Sequence, residues 1–156
     1  MPERVVHSTI VLERKLTAAP ERVFEAFANG TMKRRWFANA AQNEVEEFAV
    51  DCRVGGEERL RYRFKEGTPL PGAVLESRGT YLEIVPGRRI VSSSTMALGG
   101  RVFSASLVTV ELIPDGAGTE LVVTHQGAFF EGADGPAMRE QGWRTLLDSL
   151  EATLES

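Results

Sequence analysis

Few side chains in this sequence could carry out chemistry, and they form no known catalytic motif. The 156 residues include two histidines and one cysteine. The sequence lacks the G-x-S-x-G elbow of hydrolases, the glycine loop that cradles phosphates, and the paired histidines of zinc proteases. A transition-metal site would have to draw mainly on carboxylates, so we expect neither a metal ion nor a cofactor.

His125 is the first candidate for proton transfer or for a hydrogen bond to a ligand, because histidine titrates near neutral pH. It lies in register with Leu121 and Val123 of a predicted strand, so its ring could face the interior. No acidic or nucleophilic partner is visible for it in the sequence. We therefore favour a histidine that is satisfied by a backbone carbonyl over a general base.

Tyr81 and Glu83 offer a phenol and a carboxylate, and they alternate with Leu82 and Ile84. In a half-buried strand one of these pairs faces inward and the other faces solvent, and a shift of one residue exchanges them. The sequence leaves both registers open, with the apolar pair favoured for the inward face.

Arg139 and Gly142 interrupt the pattern of the last predicted helix. Arg139 could meet a ligand carboxylate, or it could lie over apolar surface with its charge in water. A glycine inside a helix usually has a packing reason. We favour close packing of Gly142 on the sheet over a role in making room for a ligand.

Large apolar side chains could line a ligand cavity, since aromatic and methionine residues suit an adaptable apolar pocket. The same residues could simply fill a core. The candidates are Tyr62, Phe64, Met96, Phe103, Met138 and Trp143.

Strands must position most of these residues. Leu60, Tyr62 and Phe64 alternate with the arginines at 59, 61 and 63, which predicts a half-buried strand with the arginines on its solvated face. Hairpin-length loops between the strands predict a mostly antiparallel sheet. We predict seven strands, at 8–16, 45–50, 57–65, 74–85, 88–96, 102–113 and 119–126.

Three helices complete the pattern. Pro20 fits the first turn of a short helix that ends at Asn29-Gly30, and Thr31 is the predicted cap of a second short helix. Residues 136–155 predict one long helix of roughly 30 Å. The apolar stripe of this helix comprises Trp143, Leu146, Leu147, Leu150 and Leu154.

The composition indicates one globular domain over residues 1–156. The hydrophobic share is 42% and the charged share 26%, both of which are ordinary. The net charge of −4 argues against a nucleic acid or an anionic membrane as partner. The single cysteine suits a reducing compartment, so we expect a cytoplasmic protein without a secretory leader. The sequence leaves monomer and homodimer open.

Several segments occur along nearly the whole chain in the order of a known family. They are Ala19-Pro20-Glu21-Arg22-Val23-Phe24, Lys33-Arg34-Arg35-Trp36-Phe37, Asp51-Cys52-Arg53-Val54-Gly55-Gly56, Glu83-Ile84-Val85-Pro86-Gly87-Arg88-Arg89-Ile90, Gly118-Thr119-Glu120-Leu121 with His125, and Gly142-Trp143. Together they resemble the START-like, or SRPBCC, superfamily, and more closely its branch of activator of heat-shock-protein ATPase homologues.

The resemblance implies an α+β helix-grip fold, in which a curved antiparallel sheet wraps around a long C-terminal helix and leaves a deep cavity. Members bind lipids, hormones, polyketides and other apolar molecules there, and a few are cyclases or hydrolases. Our first expectation is therefore a small apolar ligand in the cavity. The second is a cyclase-like or hydrolase-like enzyme that uses His125, Glu83 or Tyr81.

The third expectation is a module that binds a chaperone or another protein. The namesake proteins stimulate a chaperone ATPase, and they carry a separate N-terminal domain that we do not expect within these 156 residues. An interaction module would have a filled core and an exposed apolar patch, whereas a binding protein would have a cavity with apolar walls.

Overall fold

The computed structural model describes residues 4–38 and 43–155 of the chain. These residues form strands β1 to β7 and helices α1 to α3. In chain order they are β1 (Val6–Leu16), α1 (Pro20–Ala28), α2 (Gly30–Phe37), β2 (Asn43–Val50), β3 (Glu57–Phe64), β4 (Val74–Val85), β5 (Arg89–Leu98), β6 (Arg101–Asp115), β7 (Gly118–Phe129) and α3 (Pro136–Glu155).

The strands form one antiparallel sheet in the order β1-β7-β6-β5-β4-β3-β2. Consecutive strands from β2 to β7 are neighbours, as the short connections between them predict, and β1 adds to the far edge beside β7. The predicted α+β class, the seven-stranded antiparallel sheet and the long C-terminal helix are all confirmed.

The core lies between the inner face of the sheet and the helices. Leu147 and Leu150 of α3 are fully buried, as are Leu121 and Val123 of β7. On the solvent side, Arg14 of β1 forms ion pairs with Asp148 and Glu151 of α3. The amphipathic stripe predicted for α3 therefore docks on the β1–β7 side of the sheet.

A cap at Asn29 starts α2. The Asn29 side chain accepts a hydrogen bond from the backbone N–H of Met32 at 3.0 Å, which satisfies one of the free donors at the helix start. The helix begins at Gly30, so the prediction of a cap at Thr31 was wrong by two residues.

A β-bulge in β4 changes which side chains face inward. The pairing with β5 shifts register between Tyr81 and Glu83, and the extra residue lets Tyr81 and Ile84 both contact the core. Neither of the two registers predicted from the sequence turns Tyr81 and Ile84 inward together. Leu82 is exposed, and Glu83 lies on the outer surface, where its carboxylate accepts a hydrogen bond from Arg89.

The arginines of β3 lie on the solvated face, as predicted. Arg61 and Arg63 form ion pairs with Glu46, at 3.2 and 3.1 Å, and Arg59 pairs with Glu57.

Among the helices that the structure describes, none is long and apolar enough to cross a membrane.

Candidate functional site

A cavity of about 990 Å³ lies between the inner face of the sheet and helices α2 and α3. Small-molecule sites commonly measure roughly 300–1,000 Å³, so this cavity stands at the upper end of that range. Its lining includes ten of the eleven predicted site residues: Tyr62, Phe64, Tyr81, Met96, Phe103, His125, Met138, Arg139, Gly142 and Trp143. Glu83 is the exception, because the bulge in β4 turns it to the outer surface.

The walls of the cavity are mainly aromatic and aliphatic. Tyr62 and Phe64 of β3 form an edge-to-face pair with ring centroids 5.5 Å apart. Phe37 of α2 and Trp143 of α3 form a second such pair at 6.3 Å, which joins the two helices beside the cavity. Such pairs hold large apolar surfaces in fixed positions.

Arg139 lines the cavity near the start of α3, and it is only 8% exposed. Its Nε and Nη2 atoms each donate a hydrogen bond to the Asp134 carboxylate at 2.8 Å, and Nη2 also donates to the Ser104 hydroxyl at 2.9 Å. The guanidinium carbon lies 5.0 Å from the ring centre of Phe129. The charge is thus paired with Asp134 at the cavity wall. Of the two placements of Arg139 that the sequence left open, the one with its head in water is not found.

His125 of β7 lies beside this cluster and is 2% exposed. Its Nε2 is 3.3 Å from Nη1 of Arg139. Since arginine can only donate, the imidazole accepts here and carries its proton on Nδ1. Burial and the charge of Arg139 lower the pKa of His125 from 6.5 to about 4, so the ring is neutral at pH 7.

The surroundings of His125 differ from the predicted ones. Its Nδ1 is buried without a hydrogen-bond partner among the described residues, and its partner at Nε2 is a guanidinium rather than a backbone carbonyl. A general base needs a free nitrogen within reach of the proton that it removes. Neither ring nitrogen meets this condition, so the geometry does not favour acid–base catalysis by His125.

Gly127 makes room for the imidazole. It lies two residues after His125 on the same face of β7, and a Cβ at this position would stand 2.8 Å from Cε1 of His125 and 3.1 Å from Cε2 of Phe129. A glycine inside a strand often marks such a close approach. The glycine at position 127 is therefore a signal in the sequence from which this contact could have been predicted.

A second buried ion pair, which was not predicted from the sequence, also lines the cavity. Lys33 of α2 donates a hydrogen bond to Oε1 of Glu58 on β3, and the Tyr81 hydroxyl donates to the same oxygen at 2.7 Å. The Lys33 ammonium also lies 4.5 Å from the ring centre of Phe37. Burial, with the negative charge of Glu58, raises the pKa of Tyr81 far above its usual 10, so the hydroxyl remains a donor.

The cavity opens between the loop that follows β3 and the start of α3. Leu70 of this loop is 52% exposed and Met138 is 66% exposed, although both line the cavity. Gly142 is also exposed, and a Cβ added there would meet no atom within 4 Å. The predicted close packing of Gly142 on the sheet was therefore wrong, and this glycine borders the open side of the cavity.

Hydroxyl groups cross the floor of the cavity. Ser77 of β4 and Ser92 and Ser94 of β5 all line it, and Gly79, which has no side chain, pairs with Ser94. The three serine hydroxyls have no hydrogen-bond partner within the part of the chain that the structure describes. They give an otherwise apolar floor a few free, uncharged hydrogen-bonding groups.

The comparisons with known proteins agree with this architecture. The sequence profile of the family described as "Activator of Hsp90 ATPase homolog 1-like protein" matches residues 17–155. The chain belongs to this family. The resemblance inferred from the sequence segments is thus confirmed. Among curated proteins, none matches the sequence.

Solved structures of similar chains share this architecture. The Mll3558 protein from Rhizobium loti is 43% identical, with a TM-score of 0.86 over 97% of this chain and 99% of that chain. A putative uncharacterized protein from Rhizobium leguminosarum is 36% identical, with a TM-score of 0.89 over 97% of each chain. An AHSA1-like protein from Aeromonas hydrophila, 21% identical with a TM-score of 0.69 over 95% of this chain and 92% of that chain, shares the fold.

Membership of the Activator of Hsp90 ATPase homolog 1-like family supports a ligand-binding fold in general. In this member, the cavity brings ten predicted residues together with the two buried ion pairs and the serine hydroxyls. Ligand binding by these residues stays a prediction.

Proposed function

We propose that the chain binds a small apolar molecule in the cavity between the sheet and α3. The observation that carries this proposal is the cavity itself, with its volume of about 990 Å³ and its mainly aromatic and aliphatic walls. Protein interiors are normally close-packed. An interaction module without a ligand would be expected to fill this space with side chains, so an open cavity supports the binding function over the interaction module.

The apolar walls also set the expected affinity. A ligand that buries roughly 300 Å² of apolar surface would gain about 7 kcal/mol from the hydrophobic effect. Losses of translational and side-chain freedom reduce this gain, and shape-matched contacts add to it. We therefore expect a dissociation constant in the micromolar range for a simple apolar probe, which corresponds to about 8 kcal/mol.

The test uses N-phenyl-1-naphthylamine, an uncharged dye whose fluorescence rises in apolar surroundings. The wild-type chain should bind it at micromolar concentration, and the emission of the cavity residue Trp143 should change on binding. In the double variant Ser77→Phe/Ser94→Phe, two rings on the floor should weaken binding at least tenfold, because they occupy the space of the dye.

The matched control places two rings on the opposite face of β5. In Ser93→Phe/Thr95→Phe the added volume lies on the outer face of the same strand, where side chains alternate with the cavity residues, so dye binding should not change. Equal dye binding by the folded floor variant and the control variant would contradict the proposed location of the site.

A further inference from the structure

We infer that the ligand of this cavity carries no charge. The inference rests on the proposed function and narrows it, because it names the chemical class of the ligand. It follows from how the buried charges around the cavity are paired.

The first pair leaves Arg139 with little to offer an anion. Four of its five N–H groups are used: two on Asp134, one on Ser104 and one on His125. Because Asp134 already pairs with the guanidinium charge through Nε and Nη2, an anionic ligand at the remaining N–H, on Nη1, would gain little net attraction. A neutral acceptor such as a carbonyl oxygen could use that N–H without this penalty.

The second pair leaves Glu58 with little to offer a cation. One carboxylate oxygen already accepts hydrogen bonds from both Lys33 and Tyr81. A cationic ligand would have to share this carboxylate with the Lys33 ammonium, whose positive charge repels it. The cavity therefore disfavours ligands of either sign.

Without a free counter-charge, an ion would lose its hydration on entry and gain little in return. The effective penalty for burying an ion is several kcal/mol unless a partner compensates it. The uncharged lining groups without a hydrogen-bond partner among the described residues include the hydroxyls of Ser77, Ser92 and Ser94 and the buried Oδ1 of Asn43, which pair well with uncharged polar groups. An uncharged apolar molecule with a neutral hydrogen-bonding group fits this lining.

Arg35 is the one charged lining residue for which the described chain shows no ion-pair partner. It is exposed, so its charge lies in water at the rim. Exposed ion pairs contribute only about 0–1 kcal/mol, which is too little to select an anion. The displacement experiment below therefore includes the variant Arg35→Gln, which would reveal any contribution of this arginine to the binding of an anion.

The test compares three displacers that share a ten-carbon chain: decanol, decanoate and decyltrimethylammonium. Each is titrated below its micellar concentration against bound N-phenyl-1-naphthylamine at pH 7.5. Decanol should bind the wild-type chain at least tenfold more tightly than either ion.

Two variants should change this preference by releasing a buried cation. Asp134→Asn uncovers Arg139, and Glu58→Gln uncovers Lys33, so decanoate should gain at least tenfold relative to decanol in each. Asp115→Asn is the control, since it makes the same change in net charge at the exposed end of β6 and should leave the preference unchanged. If Asp134→Asn does not fold, Glu58→Gln and the wild-type comparison still decide the matter.

The outcomes distinguish failure of the proposed binding function from failure of the inference that the ligand is uncharged. If the dye itself does not bind, the proposed function fails and this inference fails with it. If the dye binds and either ion displaces it as well as decanol does, the inference alone is overturned. Loss of tight decanoate binding in Arg35→Gln would then identify the rim arginine as the group that selects an anion.

Discussion

Mild acid is expected to destabilise the folded chain through His125. The pKa of His125 is about 4 in the folded chain against the usual 6.5, because burial and the neighbouring Arg139 disfavour the imidazolium. The unfolded chain therefore binds a proton at pH values where the folded chain does not, so stability falls as the pH drops from 6.5 towards 4 and then levels off. The expected loss is about 2 kcal/mol between pH 7 and pH 5, and about 3 kcal/mol at lower pH.

Urea unfolding at pH 7, 6 and 5, followed by the fluorescence of the buried Trp36, measures this loss. Carboxylates also titrate as the pH falls, so the contribution of His125 is the difference between the wild-type chain and His125→Gln. The amide does not titrate, and its oxygen can still accept a hydrogen bond from Arg139. His7→Gln, at the exposed histidine of β1, should retain the full wild-type pH dependence.

One result would refute this reasoning. If the wild-type chain and His125→Gln lose the same stability between pH 7 and pH 5, within about 0.5 kcal/mol, then the imidazole is not held neutral beside Arg139. The structural account of the cluster around Arg139 would then be wrong.

Three further substitutions test the fold and the site by urea unfolding. Leu147→Ala, in the fully buried stripe of α3, should cost about 2–5 kcal/mol, and an unchanged midpoint would mean that the helix is not docked. Gly142→Ala should stabilise the chain by about 1 kcal/mol, since the added methyl meets no atom within 4 Å; a loss of stability would indicate a packing role. Gly127→Ala should cost about 1–3 kcal/mol because its methyl group displaces the His125 ring, and unchanged stability together with an unchanged His125 ring signal in the NMR spectrum would contradict that contact.

Much of the fold could be predicted because its signals are local. The alternation around Tyr62 identifies a half-buried strand, and the stripe of leucines at 147 and 150 identifies the docked face of α3. Each signal lies within one element, so the sequence pattern alone was sufficient. The bulge between Tyr81 and Glu83 was not predictable in this way, because one additional residue exchanges the faces of a strand without changing its composition.

The polar part of the site was harder to predict because its members come from distant segments. Lys33 and Glu58 are 25 residues apart, and Ser104 and Arg139 are 35 residues apart. No spacing rule joins such residues before the fold brings them together. Lys33 also carries a charge that sequence reasoning assigns to solvent, since buried lysines are rare without a partner.

The attachment of α3 has a mechanical consequence. The polar links described above run from α3 to β1 through Arg14 and to β6 and β7 through Arg139. The helix and these three strands should therefore move as one stiff half, while β2 to β5 form a more compliant half across the cavity. The sheet would then bend to accommodate ligands of different width, while the helix stays in place. A bound ligand would contact both halves and restrict the motion of the more compliant one. The amides of β3 and β4 should therefore gain more protection from hydrogen exchange than those of β1 and β7.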